Sequence, residues 1–369
     1  MPAPFAVCLS PIEWGGLWTS RHEICSELSR RGWDVLFVDP PANMARRPPA
    51  ATPGPVAPGI RVVTPPPYVP FGILGRVPAV ARPVIERNAR AYADFVVRTV
   101  REHHDGPVDL LFNSFMPVHG CRTQARLSPQ VTIYHRSDEM EQFPGWRPAY
   151  RAIEEGVAAA ADLVVCVSDT VRDGIAGIRP DAVVVPNGVD VHRFGDGVGP
   201  DARLSRLGRP VSVMVGVFDR RVDQTLLDAA ASCSQLVMVG RRDGIQVPAG
   251  ATWLGHVDHS EIPGILAAAD VGVVAYRPGW AGDVLKVYEY LAAGLPIVTS
   301  HAPDGPGIAA AVSVTVDAGS FAAAITTAAA QRTADTDAAR RALAEANSWP
   351  RRVDRILSGA GLAGVGAAR

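Results

Sequence analysis

Gly279-Trp280-Ala281-Gly282-Asp283-Val284-Leu285-Lys286-Val287-Tyr288-Glu289-Tyr290-Leu291-Ala292-Ala293-Gly294-Leu295-Pro296-Ile297-Val298-Thr299 reads as a loop, a helix and a strand in succession. A glycine-containing loop opens it, and the helical stretch over 285–293 ends at Gly294, the usual C′ glycine. Pro296 then leads into a short β-branched strand. The apolar run Val271-Gly272-Val273-Val274-Ala275 lies just upstream. Strand, crossover helix and strand together form the unit of a parallel sheet covered on both faces.

The same rhythm extends in both directions. In the second half, apolar strands are expected at 211–215, 236–239, 271–275 and 296–299, with helices over 225–231, 260–269, 285–293 and 320–331. In the first half, strands are expected at 5–10, 35–38, 110–112, 131–134, 163–167 and 183–185. Helices over 18–31, 84–104 and 150–161 separate them. Residues 40–78 are dense in proline and read as a long loop with one brief strand at 61–64. Its apolar part, 68–74, is a candidate for peripheral contact with a membrane or an apolar acceptor. The Gly- and Ala-rich tail, 359–369, is expected to fray.

The length of 369 residues calls for two domains. The glycine-rich segment Phe194-Gly195-Asp196-Gly197-Val198-Gly199-Pro200 is the expected linker. The expected domains are 1–196, 197–346, and a terminal segment 347–369 that starts a last helix at Trp349-Pro350. A formal net charge of −1 gives no basic excess for nucleic acid. No apolar run reaches the roughly 20 residues of a membrane helix, and no basic n-region precedes the first apolar run. The five cysteines, Cys8, Cys25, Cys121, Cys166 and Cys233, contain no Cys-x-x-Cys pair. A reducing, cytoplasmic setting is expected.

Two doubly wound domains facing across a cleft bind ligands at the carboxyl ends of their strands. A nicotinamide cofactor calls for Gly-x-Gly-x-x-Gly between a strand and a helix. The first strand is followed only by Gly15-Gly16, and the run ending at Val215 only by Gly216. A Walker loop is also missing, so a dinucleotide dehydrogenase and a P-loop enzyme are disfavoured. Arginine carries nearly all the positive charge, and Lys286 is the only lysine in the chain. Lys286 and Glu289 are three apart, hence neighbours on one helical face near the helix start. That start offers free N–H groups and a partial positive charge to an anion such as diphosphate. Glu289, one turn in, suits a ribose diol; a plain surface salt bridge is the alternative. The only Asp-x-Asp, Asp335-Thr336-Asp337, lies in an alanine-rich helix start and reads as capping, so no metal is implied.

Stretch 279–299 resembles the donor-site signature of GT-B fold glycosyltransferases of the retaining family 4 type, written roughly Pro-Leu-Lys-Leu-Tyr-Glu-Tyr-Leu-Ala-Ala-Gly-x-Pro-Val-Val. Further segments resemble the family in the same order. Residues 18–41 resemble its opening helix and second strand, and Pro186-Asn187-Gly188-Val189-Asp190 resembles its domain-junction motif. Val215-Gly216-Val217-Phe218-Asp219-Arg220-Arg221-Val222-Asp223 resembles the strand and phosphate loop that open the second domain. Trp253-Leu254-Gly255-His256-Val257 resembles the base-binding stretch.

The resemblance implies residue roles. Glu289 would hold the donor ribose hydroxyls, and Arg221 and Lys286 would neutralise the departing diphosphate. A preorganised cation acts most where that charge develops. Gly15 and Gly16 would let backbone approach diphosphate and sugar. Leu254, His256 and Val257 would meet the nucleobase, and Gly216, Gly282, Asp283 and Val284 would complete the donor loops. His135, at a strand end, would contact the transferred sugar or guide the acceptor hydroxyl, with Asp138 nearby. Glu13 and His22 are candidate acceptor contacts. The chain departs from the pattern at Ala281, where a second glutamate is commoner, and at Val217, where many members have Arg. Asp283 or the Gly282 loop is then left for the sugar, and Arg220 or Arg221 for the phosphate, Arg221 being preferred.

The implied protein is a metal-independent retaining glycosyltransferase. It moves a sugar from a nucleotide-diphosphate sugar, UDP favoured, to an acceptor hydroxyl of a glycan, glycolipid or small natural product, with no cofactor beyond that co-substrate. Two alternatives stay open: a non-hydrolysing sugar-nucleotide epimerase of the same fold, and a non-catalytic sugar-nucleotide binder. A pyridoxal-dependent phosphorylase of this architecture would need a lysine besides Lys286, and the chain has none.

Overall fold

The computed structural model describes residues 2–44, 54–69, 78–142, 146–195, 197–279 and 283–366. They group into two compact units, Met1–Val185 with Val353–Arg369, and Pro186–Arg352.

The first unit carries strands β1 (Phe5–Leu9), β2 (Asp34–Val38), β3 (Gly54–Ala57), β4 (Ile60–Val63), β5 (Leu110–Ser114), β6 (Val131–Arg136), β7 (Leu163–Cys166) and β8 (Val183–Val184). Their order is β3-β4-β2-β1-β5-β6-β7-β8. Every pair is parallel except β3/β4. Strands β1, β5 and β7 are buried at every position, which is why β1 and β7 read as unbroken apolar runs and β5 as one up to Asn113. Helices Ser20–Arg30, Pro78–His103 and Pro148–Ala160 fall where the periodicity predicts them. The proline-dense region is less irregular than expected. It contains a hairpin, β3–β4, in which Pro55 sits on the edge strand, where no ladder N–H is needed. Residues 70–74 of the expected apolar contact segment lie outside the described residues.

The second unit carries β9 (Val211–Val215), β10 (Gln235–Val239), β11 (Thr252–Gly255), β12 (Val271–Val274), β13 (Ile297–Thr299) and β14 (Val312–Val314). All are parallel, in the order β11-β10-β9-β12-β13-β14. This is the doubly wound order, with its topological switch between β9 and β12, and the α/β expectation holds for both sheets. β11 and β14 are short, half-polar edge strands, so they lack the apolar run that reveals the interior ones.

Two expectations move. The division falls at Val185/Pro186 rather than near 196, because Val189 and Phe194 are buried in the core of the second unit with Ile265 and Leu291. The terminal segment joins the first unit from Val353, not 347. The tail does not fray through 366. The indole of buried Trp33 donates to the Val365 carbonyl at 3.2 Å, and Arg31 pairs with Asp354 at 2.6 Å. Among the described residues, no helix is long and apolar enough to cross a membrane.

Candidate functional site

At the switch point of the second sheet, β12 is followed by a loop and the helix Leu285–Ala292. Val284 is its N-cap and offers no side-chain acceptor; Val287 N–H bonds the Val284 carbonyl at 3.0 Å, and the N–H groups of Leu285 and Lys286 are left for another partner. Glu289 lies one turn in, only 4% exposed. Lys286 Nζ donates to both its oxygens, at 2.9 and 2.8 Å, and His259 Nε2 lies 3.2 Å from Oε1. Burial alone would raise the Glu289 pKa, but the charge of Lys286 and the hydrogen bond from His259 outweigh it and hold the carboxyl at about 2. Burial pushes the His259 pKa down, against the pull of Glu289. A neutral His259 then donates from Nε2 to Glu289 while Nδ1 accepts from Arg193, whose Nη2 also donates to the His259 carbonyl at 2.8 Å. At neutral pH Glu289 is thus an ionised, acceptor-only group held on two sides.

The residue that launches this helix is anchored as firmly. Asp283 Oδ2 accepts from the Asn187 backbone N–H and from the Tyr288 hydroxyl, both at 2.6 Å, and Asn187 Nδ2 donates to the Asp283 carbonyl at 2.7 Å. Arg352 Nε in turn donates to the Asn187 carbonyl at 2.9 Å. A Cβ on Gly188 would lie 2.9 Å from the Asn347 carbonyl oxygen, so the backbone here packs closer than any side chain allows. The motif 186–190 therefore clamps Asp283, three residues before Lys286. Asp283 Oδ1 is buried with no partner, and burial pushes the pKa of this group up to about 7.

The neighbouring strand tips complete the edge. Gly216, after β9, donates its N–H to the Val239 carbonyl at 2.9 Å, and Gly240 donates to the Gly255 carbonyl at 2.7 Å. Arg221 Nε is held by both oxygens of Asp219, at 2.8 and 3.1 Å, and its carbonyl accepts from Arg277 N–H at 2.8 Å. Leu254 and Val257 pack against the core of the second unit, while His256 is exposed. Trp253 is also exposed and carries the Arg242 guanidinium over its ring at 4.9 Å. Gly282 and Ala281 lie outside the described residues.

In the first unit the corresponding edge lies between β1 and β5. His135, in register with Ser114, is buried. Its Nδ1 lies 3.1 Å from Ser114 Oγ, and its ring stacks on Phe112. Burial, and secondarily the charge of Arg21, lowers its pKa to about 3, so it is neutral. Ser114 Oγ accepts from Arg21 Nε at 3.1 Å, which directs its own proton to His135 Nδ1 and leaves the ring's N–H on Nε2. Asp138 follows the strand, and its Oδ1 accepts from the Glu139 N–H. Gly15 and Gly16 are exposed on the loop after β1. His22 is fully buried: Nδ1 meets the Thr19 cap at 3.0 Å, and Nε2 lies 3.2 Å from the Glu13 carbonyl. Both ring nitrogens are engaged in shaping the Glu13–Gly16 loop, which gives His22 a positioning place. The Glu13 carbonyl also closes the turn onto Gly16 N–H at 3.0 Å.

Gly216, Arg221, Asp283, Val284, Lys286 and Glu289 thus stand on the carboxyl edge of one sheet, and Glu13, Gly15, Gly16, His22 and His135 on that of the other. The sequence reading missed His259 and Arg21, and it gave Asn187 only as part of the junction motif, with no link to Asp283. His259 follows Asp258, whose capping box with Glu261 marks the turn, but no spacing rule links it to a carboxylate thirty residues on. Among the described residues, no cluster of three or more His, Cys, Asp or Glu side chains is arranged to hold a metal.

Residues 14–193 match the model of Glycosyltransferase Family 4, and residues 209–331 that of Glycosyl transferases group 1. No curated protein matches the chain significantly. Solved structures do. Sucrose-phosphate synthase from Thermosynechococcus elongatus superimposes with a TM-score of 0.70 at 17% identity, covering 96% of this chain and 98% of that one. HepE from Anabaena, solved with UDP-glucose, gives 0.64 at 16% identity over 96% and 99%. The trehalose 6-phosphate synthase of Burkholderia multivorans gives 0.63 at 14% identity over 98% of each chain. With the two family models together spanning most of the sequence, and the two doubly wound sheets that these neighbours share, the chain belongs to the GT-B glycosyltransferases of family 4 and group 1.

Proposed function

We propose that the chain is a retaining glycosyltransferase that takes a sugar from a nucleotide-diphosphate sugar, UDP by preference, and delivers it to a hydroxyl acceptor. The observation that carries the reading is the carboxylate of Glu289, buried and ionised beside Lys286 at the start of a helix without a side-chain cap. An ionised carboxylate only accepts hydrogen bonds, so its ligand must present donors, and a ribose diol does so. Lys286 spends two of its three N–H groups on Glu289, and its charge together with the helix N–H groups suits a diphosphate. That HepE was solved with UDP-glucose favours the same class of donor.

In this reading the glycosyl C–O bond to the diphosphate breaks as the acceptor oxygen bonds the same carbon from the same face. The acceptor proton passes to the departing phosphate oxygen. Lys286 and Arg221 stabilise the charge that develops there. His135, neutral with its N–H on Nε2, donates to an oxygen of the transferred sugar. The test is a thermal-shift panel of UDP, GDP, TDP and ADP with their sugars, on wild type and Glu289→Ala. A nucleotide that raises the melting point of wild type only supports the reading. A panel with no shift, or equal shifts in both proteins, removes it. Turnover of the donor without any acceptor would favour the epimerase.

A further inference from the structure

Arg21 lies in the first turn of helix Ser20–Arg30 and is only 5% exposed. Its Nε donates to Ser114 Oγ at 3.1 Å, its Nη2 to Ser137 Oγ at 2.9 Å and its Nη1 to Thr19 Oγ1 at 3.3 Å. All three acceptors are neutral hydroxyls, and among the described residues no carboxylate forms an ion pair with it. Asp138 acts on it only through space, and burial brings its pKa down to about 10. Of the three other arginines buried among the described residues, Arg352 meets the Asn187 carbonyl and the Asn347 amide oxygen, and two meet a carboxylate. Arg136 meets Glu154 at 2.9 Å, and Arg179 meets Asp181 at 2.7 Å. A buried charge is costly unless an opposite charge accompanies it.

A strap joining the end of β5, the segment after β6 and the helix cap needs only a neutral donor. A guanidinium adds a planar fork of five N–H groups that fits an oxyanion, and three are in use here. Thr19 and Ser137 are only half-buried, so the hydroxyl end of the cluster reaches solvent. His135 Nε2, whose ring shares Ser114 with Arg21, has no hydrogen-bond partner among the described residues. A cation and a neutral N–H donor thus adjoin at one strand edge.

We propose that Arg21, with the hydroxyls of Ser137 and Thr19, seats an anionic oxygen group carried by the acceptor, a phosphate or a carboxylate next to the hydroxyl that receives the sugar. The inference rests on the reading above, with the acceptor taken to lie by Glu13 and His22, the candidate acceptor contacts of the first unit. It narrows the acceptor class from any hydroxyl compound to a charged one and makes Arg21 a specificity-determining residue.

The test is calorimetric titration of the full chain, with UDP saturating, by inorganic phosphate and separately by acetate, on wild type, Arg21→Gln and Ser137→Ala. Wild type should bind at least one anion saturably. Arg21→Gln should weaken that binding tenfold or more and Ser137→Ala severalfold, with UDP affinity unchanged in both. A preference for phosphate points to a phosphate ester on the acceptor, and one for acetate to a carboxylate. Phosphate and acetate binding that is absent in wild type, or equal in wild type and Arg21→Gln, overturns the proposal and leaves Arg21 a strap whose loss lowers only the melting temperature. If Arg21→Gln does not fold by circular dichroism, Ser137→Ala decides, since that half-buried hydroxyl can be removed without opening the core. Wild type that fails to bind UDP yet binds phosphate in an Arg21-dependent way would sink the donor reading and keep the anion seat.

Discussion

Lys286 Nζ stands 2.8 and 2.9 Å from the two carboxylate oxygens of Glu289, one turn along the same helix, with His259 closing the other side. Glu289→Gln keeps the shape and one acceptor oxygen but removes the charge and the second acceptor that Lys286 and His259 share. Hydrogen bonds to a charged group contribute about 1.5–3 kcal/mol, so UDP affinity should fall roughly 10- to 100-fold in calorimetry. Unchanged affinity in a folded variant would place the ribose elsewhere.

The same carboxyl makes an acid-stability prediction. Its folded pKa, about 2, lies below the ordinary value of 4.5, so its contribution is complete above the ordinary value and lost as pH falls through the folded one. Between about pH 4.5 and 2, wild type should lose urea-unfolding stability more steeply than Glu289→Gln. Parallel curves would show that the carboxylate is not held as described.

Asp283 has the opposite sign. Its folded pKa, raised to about 7 by burial, exceeds the ordinary 3.8, so the stability this group confers is full below 3.8 and is lost as pH rises through 7. Asn at this position keeps an acceptor for Asn187 N–H and Tyr288 O–H and removes the charge whose Oδ1 has no partner. Each tenfold difference in proton affinity between the folded and unfolded chain is worth about 1.4 kcal/mol. At pH 8, Asp283→Asn should therefore be more stable than wild type by a few kcal/mol, with the advantage vanishing near pH 4. A destabilised variant at pH 8 would mean that the charged form is accommodated.

The interior strands were legible because burial on both faces forces continuous apolar runs, as in β1 and β9. The helix bearing Lys286 and Glu289 was legible because Gly294 and Pro296 bracket its end and three-residue spacing puts both side chains on one face. Edge strands β3, β11 and β14 carry no such run. The partners of His259, Asn187 and Arg21 were not legible, because they are set by the crossing of distant loops at a strand edge. Nothing local to Asn187 announces that Asp283, ninety-six positions on, receives its N–H.

His135 should act without titrating. With its pKa near 3, the ring is neutral through the working range, so the pH–rate profiles of wild type and His135→Gln should have the same shape between pH 5 and 8. Glutamine can still donate an N–H, so it should retain more turnover than His135→Phe. Ser114→Ala, which releases both His135 Nδ1 and Arg21 Nε, should lower kcat as well. A lost ionisation step in His135→Gln would identify the imidazole as an acid–base group instead.

The strand tips at the donor edge make the last prediction. Gly240 adopts φ +135°, and a Cβ there would lie 1.8 Å from the Gly216 carbonyl oxygen, far inside any contact a side chain tolerates. The obstacle is backbone at the tip of β9, so Gly240→Ala can be relieved only by parting β9 from β10. Gly244 also has positive φ, at +82°, but a Cβ there meets nothing within 4 Å. Gly244→Ala should therefore cost about 1–2 kcal/mol, the backbone term alone. Gly240→Ala should cost more than about 4 kcal/mol or prevent folding, by chemical denaturation. Equal costs at the two sites would mean that the tips of β9 and β10 are not closed as tightly as described, and that the donor edge has room a nucleotide would have to fill.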